Sequence, residues 1–312
     1  MATTFDSGFT DWNPEHLPDL TDRTFLITGA NAGLGFEASK MLRHKNANLL
    51  MAARNEGRGR GAVNKITAEN GSGFVDFIKL DLADTTSIRA AADSVRSTTD
   101  GLDAIVNNAG IMQTPQQKTA DGFEMQFGTN HLGHFLLNSL LFDLVATRSG
   151  RIVPVASIAH QPPAKLHFDD MMLTNNYKAT TAYQQSKLAN LVYGLELHRR
   201  LTAADSSVSS ISCHPGYAAT QLQSTGPTGI WKSVYKVTNA LLAQDANRGA
   251  QPLVLAAAGT EALPGGYYGP VAFKGARGPI SDSDVSDAAL DVASGSRLWE
   301  ASEAYLDITW TI

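Results

Sequence analysis

The sequence predicts an α/β protein organised on a doubly wound parallel sheet of about seven strands, with helices on both faces. Three observations predict it. From Thr24 onward, short apolar, β-favouring runs alternate with longer stretches of helical periodicity. The runs are apolar throughout rather than alternating in polarity, as strands covered on both faces require. The stretches between them run to about ten residues or more, enough for right-handed helical crossovers between parallel strands.

The strand runs are Thr24–Thr28, Asn48–Ala52, Gly73–Lys79, Ala104–Asn107, Arg151–Val155 and Val208–Cys213. Helical patterns cover 34–45, 57–69, 86–97, 122–147 and 181–202. Residues 1–20 carry Trp12 and Pro14 without periodicity and read as an arm lying on the domain. Residues 21–312 read as a single domain with no linker or repeat, and with long loops for substrate at 158–182 and 217–245. The acidic, small-residue segment Ser281–Gly295 reads as a solvated loop and short helix before a terminal helix over Leu298–Tyr305.

Composition narrows the function classes. With 312 residues, 43% hydrophobic and 18% charged, the chain has enough apolar content for a large core. Net charge is 25 − 30 = −5, so no nucleic-acid partner is expected. Apolar runs such as Leu253–Ala258 are too short to cross a bilayer. The N-terminus lacks the basic and apolar regions of a signal peptide, and the single Cys213 suits a reducing compartment. A cytoplasmic location is expected.

The stretch Thr24–Phe36, TFLITGANAGLGF, joins the first strand to a helix through Gly29, Asn31, Gly33, Leu34 and Gly35. Missing Cβ atoms let the backbone approach a ligand, and the first N–H groups of the helix point at negative charge. A pyrophosphate fits such a turn, although three glycines alone also make a plain strand-to-helix corner. After the second strand comes Ala52-Ala53-Arg54. A carboxylate there would accept from the ribose 2′-hydroxyl of NAD; a guanidinium grips the 2′-phosphate of NADP. Arg54 therefore favours NADP(H), with Arg58 one helical turn later. Asp81 and Leu82 follow the third strand, where a carboxylate accepts from an adenine amino group; Asp84 serves better as the cap of the next helix. Asn107-Asn108-Ala109-Gly110 ends the fourth strand with small residues suited to close cofactor approach and an Asn that ties strands together.

Tyr183 and Lys187 stand four residues apart at the start of a helix, on one face. A nearby cation favours the phenolate and makes a tyrosine usable for proton transfer to a carbonyl–alcohol pair. Ser157, after the fifth strand, is placed to donate to the same oxygen. Tyr and Lys at that spacing are by themselves a common surface pair.

Taken in order, TGANAGLG at 28–35, NNAG at 107–110, Asn130, Ser157, the Tyr183/Lys187 pair and Pro215-Gly216 with Thr220 resemble the short-chain dehydrogenase/reductases. The likeness covers about Thr24 to Thr220. It implies a Rossmann-type domain, Tyr183 as acid/base, and Lys187 holding the nicotinamide ribose while lowering the tyrosine pKa. It also implies that Ser157 orients the carbonyl and that Asn130 holds a water linking Lys187 to solvent. Pro215, Gly216 and Thr220 would lie against the nicotinamide. Within that family, Thr129-Asn130-His131-Leu132-Gly133-His134-Phe135, Ser186-Lys187-Leu188-Ala189-Asn190 and Gly265-Gly266-Tyr267-Tyr268-Gly269-Pro270 are similar to the retinol dehydrogenase and protochlorophyllide reductase branch. Pro154 departs from the family's usual strand, and irregularity is expected there because proline has no N–H to give.

The reading is an NADP(H)-dependent oxidoreductase interconverting a carbonyl and an alcohol on an apolar small-molecule ketone, aldehyde or alcohol, with homo-oligomerisation left open. The alternatives are a C=C reductase of the protochlorophyllide type and a non-catalytic NADP-binding sensor. His131, His134, His160, His167 and His214 match no metal-ligand spacing and read as packing, so no metal is expected. Cys213 reads as a small buried thiol. Met171, Met172, Trp231 and Tyr235 fit either an apolar pocket or the core.

Overall fold

The computed structural model describes residues 2–3, 6–217 and 245–312. Six parallel strands make the central sheet: β1 Thr24–Thr28, β2 Asn48–Ala53, β3 Val75–Lys79, β4 Ala104–Asn107, β5 Arg151–Pro154 and β6 Ser209–Ser210. Their spatial order is β3-β2-β1-β4-β5-β6, so strand order reverses between β1 and β4. Thr24–Thr28 pairs in register with Asn48–Ala52 on one side, and Phe25–Ile27 with Ala104–Val106 on the other. These central strands are buried along their length, which explains their unbroken apolar character. β3 lies at the sheet edge and exposes Asp76 and Lys79.

The helices are α1 Gly33–Arg43, α2 Glu56–Thr67, α3 Thr85–Thr98, α4 Gly133–Thr147, α5 Ala179–Ala203, α6 Ala246–Ala258 and α7 Val292–Leu306. Leu26, Ile105 and Ile152 face a core shared with α3, α4, α5 and α7. Phe25, Ile27, Val106 and Val153 face a second core shared with α1, α2 and α6. One residue of offset along a strand moves a side chain from one core to the other. The N-terminal arm belongs to the second core. Trp12 is 1% exposed, its N–H donates to Ile280 O at 2.9 Å and its indole N–H to Glu261 at 3.2 Å. Emptying such a site costs on the order of 3–5 kcal/mol in other cores, which makes the arm part of the fold.

The expected strand Val208–Cys213 is two pieces. β6 stays in the main sheet, while β7 Ser212–Cys213 runs beside β8 Tyr267–Ala272, itself paired with β9 Arg277–Asp282. Pro154 explains the break. The ladder lapses where that residue has no N–H, and resumes with Ala156 N donating to Cys213 O at 2.8 Å. The sheet count is therefore six, with β7 meeting it through a Val155–Cys213 bridge.

A second expectation is corrected in part. Ser281–Gly295 holds the expected short helix, Asp287–Leu290, and exposes Asp284, Asp287 and Asp291, but it also contains the end of β9, the short strand Asp284–Val285 paired with Ala2–Thr3, and the start of α7. Ser283, Val285 and Ser286 are buried. Ser283 meets His214 Nε2 at 3.0 Å, Ser286 reaches His160 O, and Val285 joins the first core, tertiary contacts that acidic, small-residue composition does not reveal.

Candidate active site

β1 and β4 are neighbours at the strand-order reversal, where a doubly wound sheet opens a crevice at its carboxyl ends. Gly29 (φ +67°) and Gly33 (φ +57°) turn the chain out of β1 in a conformation that favours glycine. At Gly35 a Cβ would lie 2.7 Å from Gly29 O and 2.6 Å from Asn108 Nδ2, so helix, turn and fourth strand approach too closely for any side chain. The N-cap of α1 is Ala32, which supplies no side-chain acceptor. The first-turn N–H groups thus lack the partner that Asn55 gives α2 and Asp84 gives α3, and they suit an anion. The backbone here fits a dinucleotide pyrophosphate.

Arg54 follows β2 directly, with its side chain 74% exposed and its Nε 3.9 Å from Asp81 Oδ2. So loose and exposed a pair is worth little to the fold. Asp81 Oδ1 accepts from Ala83 N at 3.0 Å. The Leu82 side chain lies in the first core, so only its backbone can face a cofactor. Asn31 and Ala32 share a second cavity, of about 390 Å3, with Phe36, Arg58 and Lys65. Its two cations stand beside the helix start.

The loop after β4 forms the floor. Asn108 Nδ2 donates to Thr28 O at 2.7 Å, and Ala109 N donates to Thr28 Oγ1 at 2.9 Å. Asn108 is thus the residue tying the two strand ends, whereas Asn107 is buried with neither amide atom bonded to any of the described residues. A Cβ on Gly110 would lie 3.2 Å from Asn130 Oδ1 and 3.7 Å from Lys187 Nζ. Leu34, Asn108, Gly110, Ser157, Tyr183 and Lys187 line one cavity of about 300 Å3, with Pro215, Gly216 and Tyr217 on its wall.

Ser157 leaves β5 into a short helical turn, its Oγ accepting from Ala159 N at 3.2 Å. α5 carries Tyr183 and Lys187 one turn apart. The Lys187 ammonium donates to Val155 O at 2.9 Å, an acceptor it shares with Asn190 Nδ2 at 3.1 Å. Lys187 is 6% exposed, and burial lowers its pKa from 10.5 to about 8. Asn130 sits in a π-helical turn, Gly128–Leu132, just before α4. Its Oδ1 accepts from Ile111 N at 2.8 Å, and its Nδ2 donates to Ile111 O and Ser186 Oγ, both at 2.9 Å. The Asn130 side chain therefore binds loop and helix together.

Some expected contacts fall elsewhere. Thr220 and most of the 217–245 loop, including Trp231 and Tyr235, lie outside the described residues. Met171 is in the core, and Met172 packs against it with Sδ accepting from Glu124 N at 3.2 Å, so neither methionine lines the cavity. The outer wall comes instead from Met112, Gln113, Ile158, Ala159, Thr180 and Gln184. Gln113 adopts φ +56°, held by a bond from its N–H to buried Gln126 Oε1 at 2.9 Å. No local sequence signal marks it.

His131, His134, His160 and His214 are buried and bonded inside the protein, whereas His167 is part-exposed. His131 meets Ser302 Oγ at 2.9 Å, His160 donates to Ser157 O at 2.7 Å, and His214 meets Ser283 Oγ at 3.0 Å. Burial lowers the pKa of His131 and His214 to about 3. Among the described residues no group of three or more His, Cys, Asp or Glu is placed to hold a metal. No described helix is long and apolar enough to cross a membrane. Cys213 is buried, and burial pushes its thiol pKa well up.

A family model described as short chain dehydrogenase matches residues 23–229. Mouse (Mus musculus) retinol dehydrogenase 11 is 42% identical over 204 residues, covering 65% of this chain and 64% of that protein, so the match spans somewhat less than two thirds of that relative. Human (Homo sapiens) retinol dehydrogenase 12 is 34% identical over 294 residues, covering 93% of this chain and 88% of that one. A crystal structure of an uncharacterised protein from Mycobacterium Paratuberculosis superposes with a TM-score of 0.81 at 35% identity, over 97% of this chain and all of that chain. With the strand order, the glycine turn and the Ser157–Tyr183–Lys187 wall in place, the chain belongs to the short-chain dehydrogenase family, on its retinol dehydrogenase-like branch.

Proposed function

We propose that this chain is an NADP(H)-dependent oxidoreductase that interconverts a carbonyl and an alcohol on an apolar small molecule. The observation that carries the reading is the single cavity shared by Ser157, Tyr183 and Lys187 with the cofactor-side residues Leu34, Asn108 and Gly110. NADP over NAD is supported by Arg54 at the end of β2, where no carboxylate stands, and by Arg58 and Lys65 in the adjoining cavity. The retinol dehydrogenases among the relatives, and the apolar wall of Met112, Ile158 and Ala159, support an apolar substrate.

A bound nicotinamide supplies the hydride. The protein's part is proton transfer and orientation. Tyr183 gives its hydroxyl proton to the carbonyl oxygen in reduction and takes it back in oxidation. The Lys187 ammonium, one helical turn away and poorly solvated, favours the phenolate that this exchange requires. Among the described residues one of its N–H bonds is spent on Val155 O, and the other two are left for the cavity. Ser157 Oγ accepts from Ala159 N, so its own proton is left for the substrate oxygen. The C=C alternative finds no support in Cys213, whose buried thiol is not on the cavity wall.

A panel of aliphatic, aromatic and retinoid aldehydes and ketones with NADPH tests the reading. Oxidation of NADPH with at least one member is expected. Tight NADPH binding with no turnover on any member would replace the enzyme with a cofactor-binding sensor.

A further inference from the structure

The floor of the cleft, Asn108–Ile111, is clamped at two places. Thr28 holds one end, accepting from Ala109 N with its hydroxyl and from Asn108 Nδ2 with its carbonyl. Asn130 holds the other, bonding both main-chain atoms of Ile111 and reaching Ser186, the residue before Lys187. One side chain touches both clamps. His134, 3% exposed in the first turn of α4, has Nδ1 3.0 Å from Asn130 O and Nε2 2.9 Å from Thr28 Oγ1.

The hydrogen bonds fix its proton. A carbonyl only accepts, so Nδ1 carries the hydrogen. Burial lowers the His134 pKa to about 4, so the ring is neutral near pH 7 and Nε2 is a bare acceptor. The Thr28 hydroxyl must then donate to Nε2, which leaves its lone pairs for Ala109 N. Its 3.3 Å approach to Val106 O carries no proton in this arrangement.

We infer that His134 is a positioning residue whose imidazole ties the cofactor-side clamp at Thr28 to the helix-side clamp at Asn130. It thereby sets the spacing between the loop under the cofactor and the helix bearing Tyr183 and Lys187. The inference rests on the oxidoreductase reading for what that spacing serves. The geometry also assigns each edge of the ring a separate consequence. The Nε2 edge supports the loop beneath the cofactor. The Nδ1 edge supports the π-turn that aims Asn130 at Ser186 and α5.

Two substitutions separate the edges. In His134→Asn the amide nitrogen replaces Nδ1 and keeps Asn130 O, but nothing reaches Thr28. In His134→Gln the longer amide oxygen replaces Nε2 and keeps Thr28, but Asn130 O is released. His134→Asn is expected to weaken NADPH binding about tenfold, the size of one hydrogen bond, with kcat at saturation within about threefold. His134→Gln is expected to leave the NADPH Kd within about threefold and lower kcat about tenfold. Equal losses in both constants for both variants, following their melting temperatures, would make His134 ordinary packing and overturn the inference. Histidine 15N spectra of the unsubstituted protein test it without any variant folding. The Nδ1–H tautomer is expected, persisting down to about pH 5; an Nε2–H tautomer overturns the tie. If the wild-type protein binds no NADPH, the oxidoreductase reading fails, while the tautomer result still decides whether the tie exists.

Discussion

Along the floor of the cleft, Thr28, Asn130, His134, Ser186 and Lys187 are buried, and several of their polar atoms bond main-chain atoms of a neighbouring element. Around the rim, Gln113 and Gln184 are part-exposed and Thr180 is exposed; Thr180, in the first turn of α5, donates to Gln113 Oε1 on the facing loop at 3.2 Å. The contrast follows from cost. A buried polar group without a partner loses about 1–3 kcal/mol, so each floor residue is specified by several others at once. A rim residue can exchange its partner for water and stay stable. The floor is therefore suited to chemistry that must not move, and the rim to recognition that varies. Substitutions on the two sides should accordingly separate kcat from KM.

The largest effect is expected at Tyr183. Tyr183→Phe keeps the ring and removes the transferable proton, so kcat should fall by about 10²–10⁴. The NADPH Kd, measured by fluorescence titration, should stay within about threefold. Retained turnover would take the proton transfer away from Tyr183.

Lys187→Met should abolish turnover and yet stabilise the protein. The unfolded lysine keeps its proton to pH 10.5, the native one only to about 8, so the unfolded state binds more protons between those values. Wild-type stability therefore rises with pH through that window and carries the full burial penalty below it, on the order of 3 kcal/mol. Urea midpoints should place Lys187→Met above wild type at pH 7, with the gap closing toward pH 10.5. A variant less stable than wild type at pH 7 would mean that the bond to Val155 O outweighs desolvation.

How much of this was legible in the sequence depends on the span of each interaction. The glycine turn lies within 13 residues and the Tyr183/Lys187 pair within one helical turn, so local spacing exposes both. Asp84 as a helix cap and the disturbance at Pro154 are local too, and both stand in the structure. The missed features join distant parts of the chain. Thr28 and His134 are 106 residues apart, Gln113 and Thr180 are 67 apart, and His214 and Ser283 are 69 apart. His134 shows one readable trace, its spacing of four from Asn130, which lets a helical side chain reach back to the carbonyl. Buried Ser283 and Ser286 read as solvent-facing because small polar residues suit loops and inward-facing hydrogen bonds equally.

Arg54 lies between floor and rim in kind. It is exposed and weakly paired, but on the proposed reading it meets the cofactor's 2′-phosphate. Arg54→Asp should raise the Kd for NADPH about 10–100-fold, the worth of a charge-assisted bond, and change that for NADH by less than about threefold. Equal effects on both cofactors would remove Arg54 from the 2′-phosphate and leave Arg58 and Lys65 as the cations to test.

The smallest effect is expected at the rim, and it tests the contrast most directly. Thr180→Val removes the hydroxyl that meets Gln113 Oε1 while keeping the shape of the side chain. Because Thr180 is exposed, water replaces the lost partner, and the melting temperature should move by less than about 1 °C. Gln113 stays in place, since its main-chain N–H remains bonded to Gln126 Oε1. Its amide, no longer tethered, turns toward whatever the substrate offers. KM for a good ketone substrate should therefore change about two- to fivefold, upward for purely apolar substrates and downward for those with a second acceptor. kcat and the NADPH Kd should not change. A matching fall in kcat would show that Gln113 and Thr180 position the reacting atoms, which would make the rim an extension of the floor.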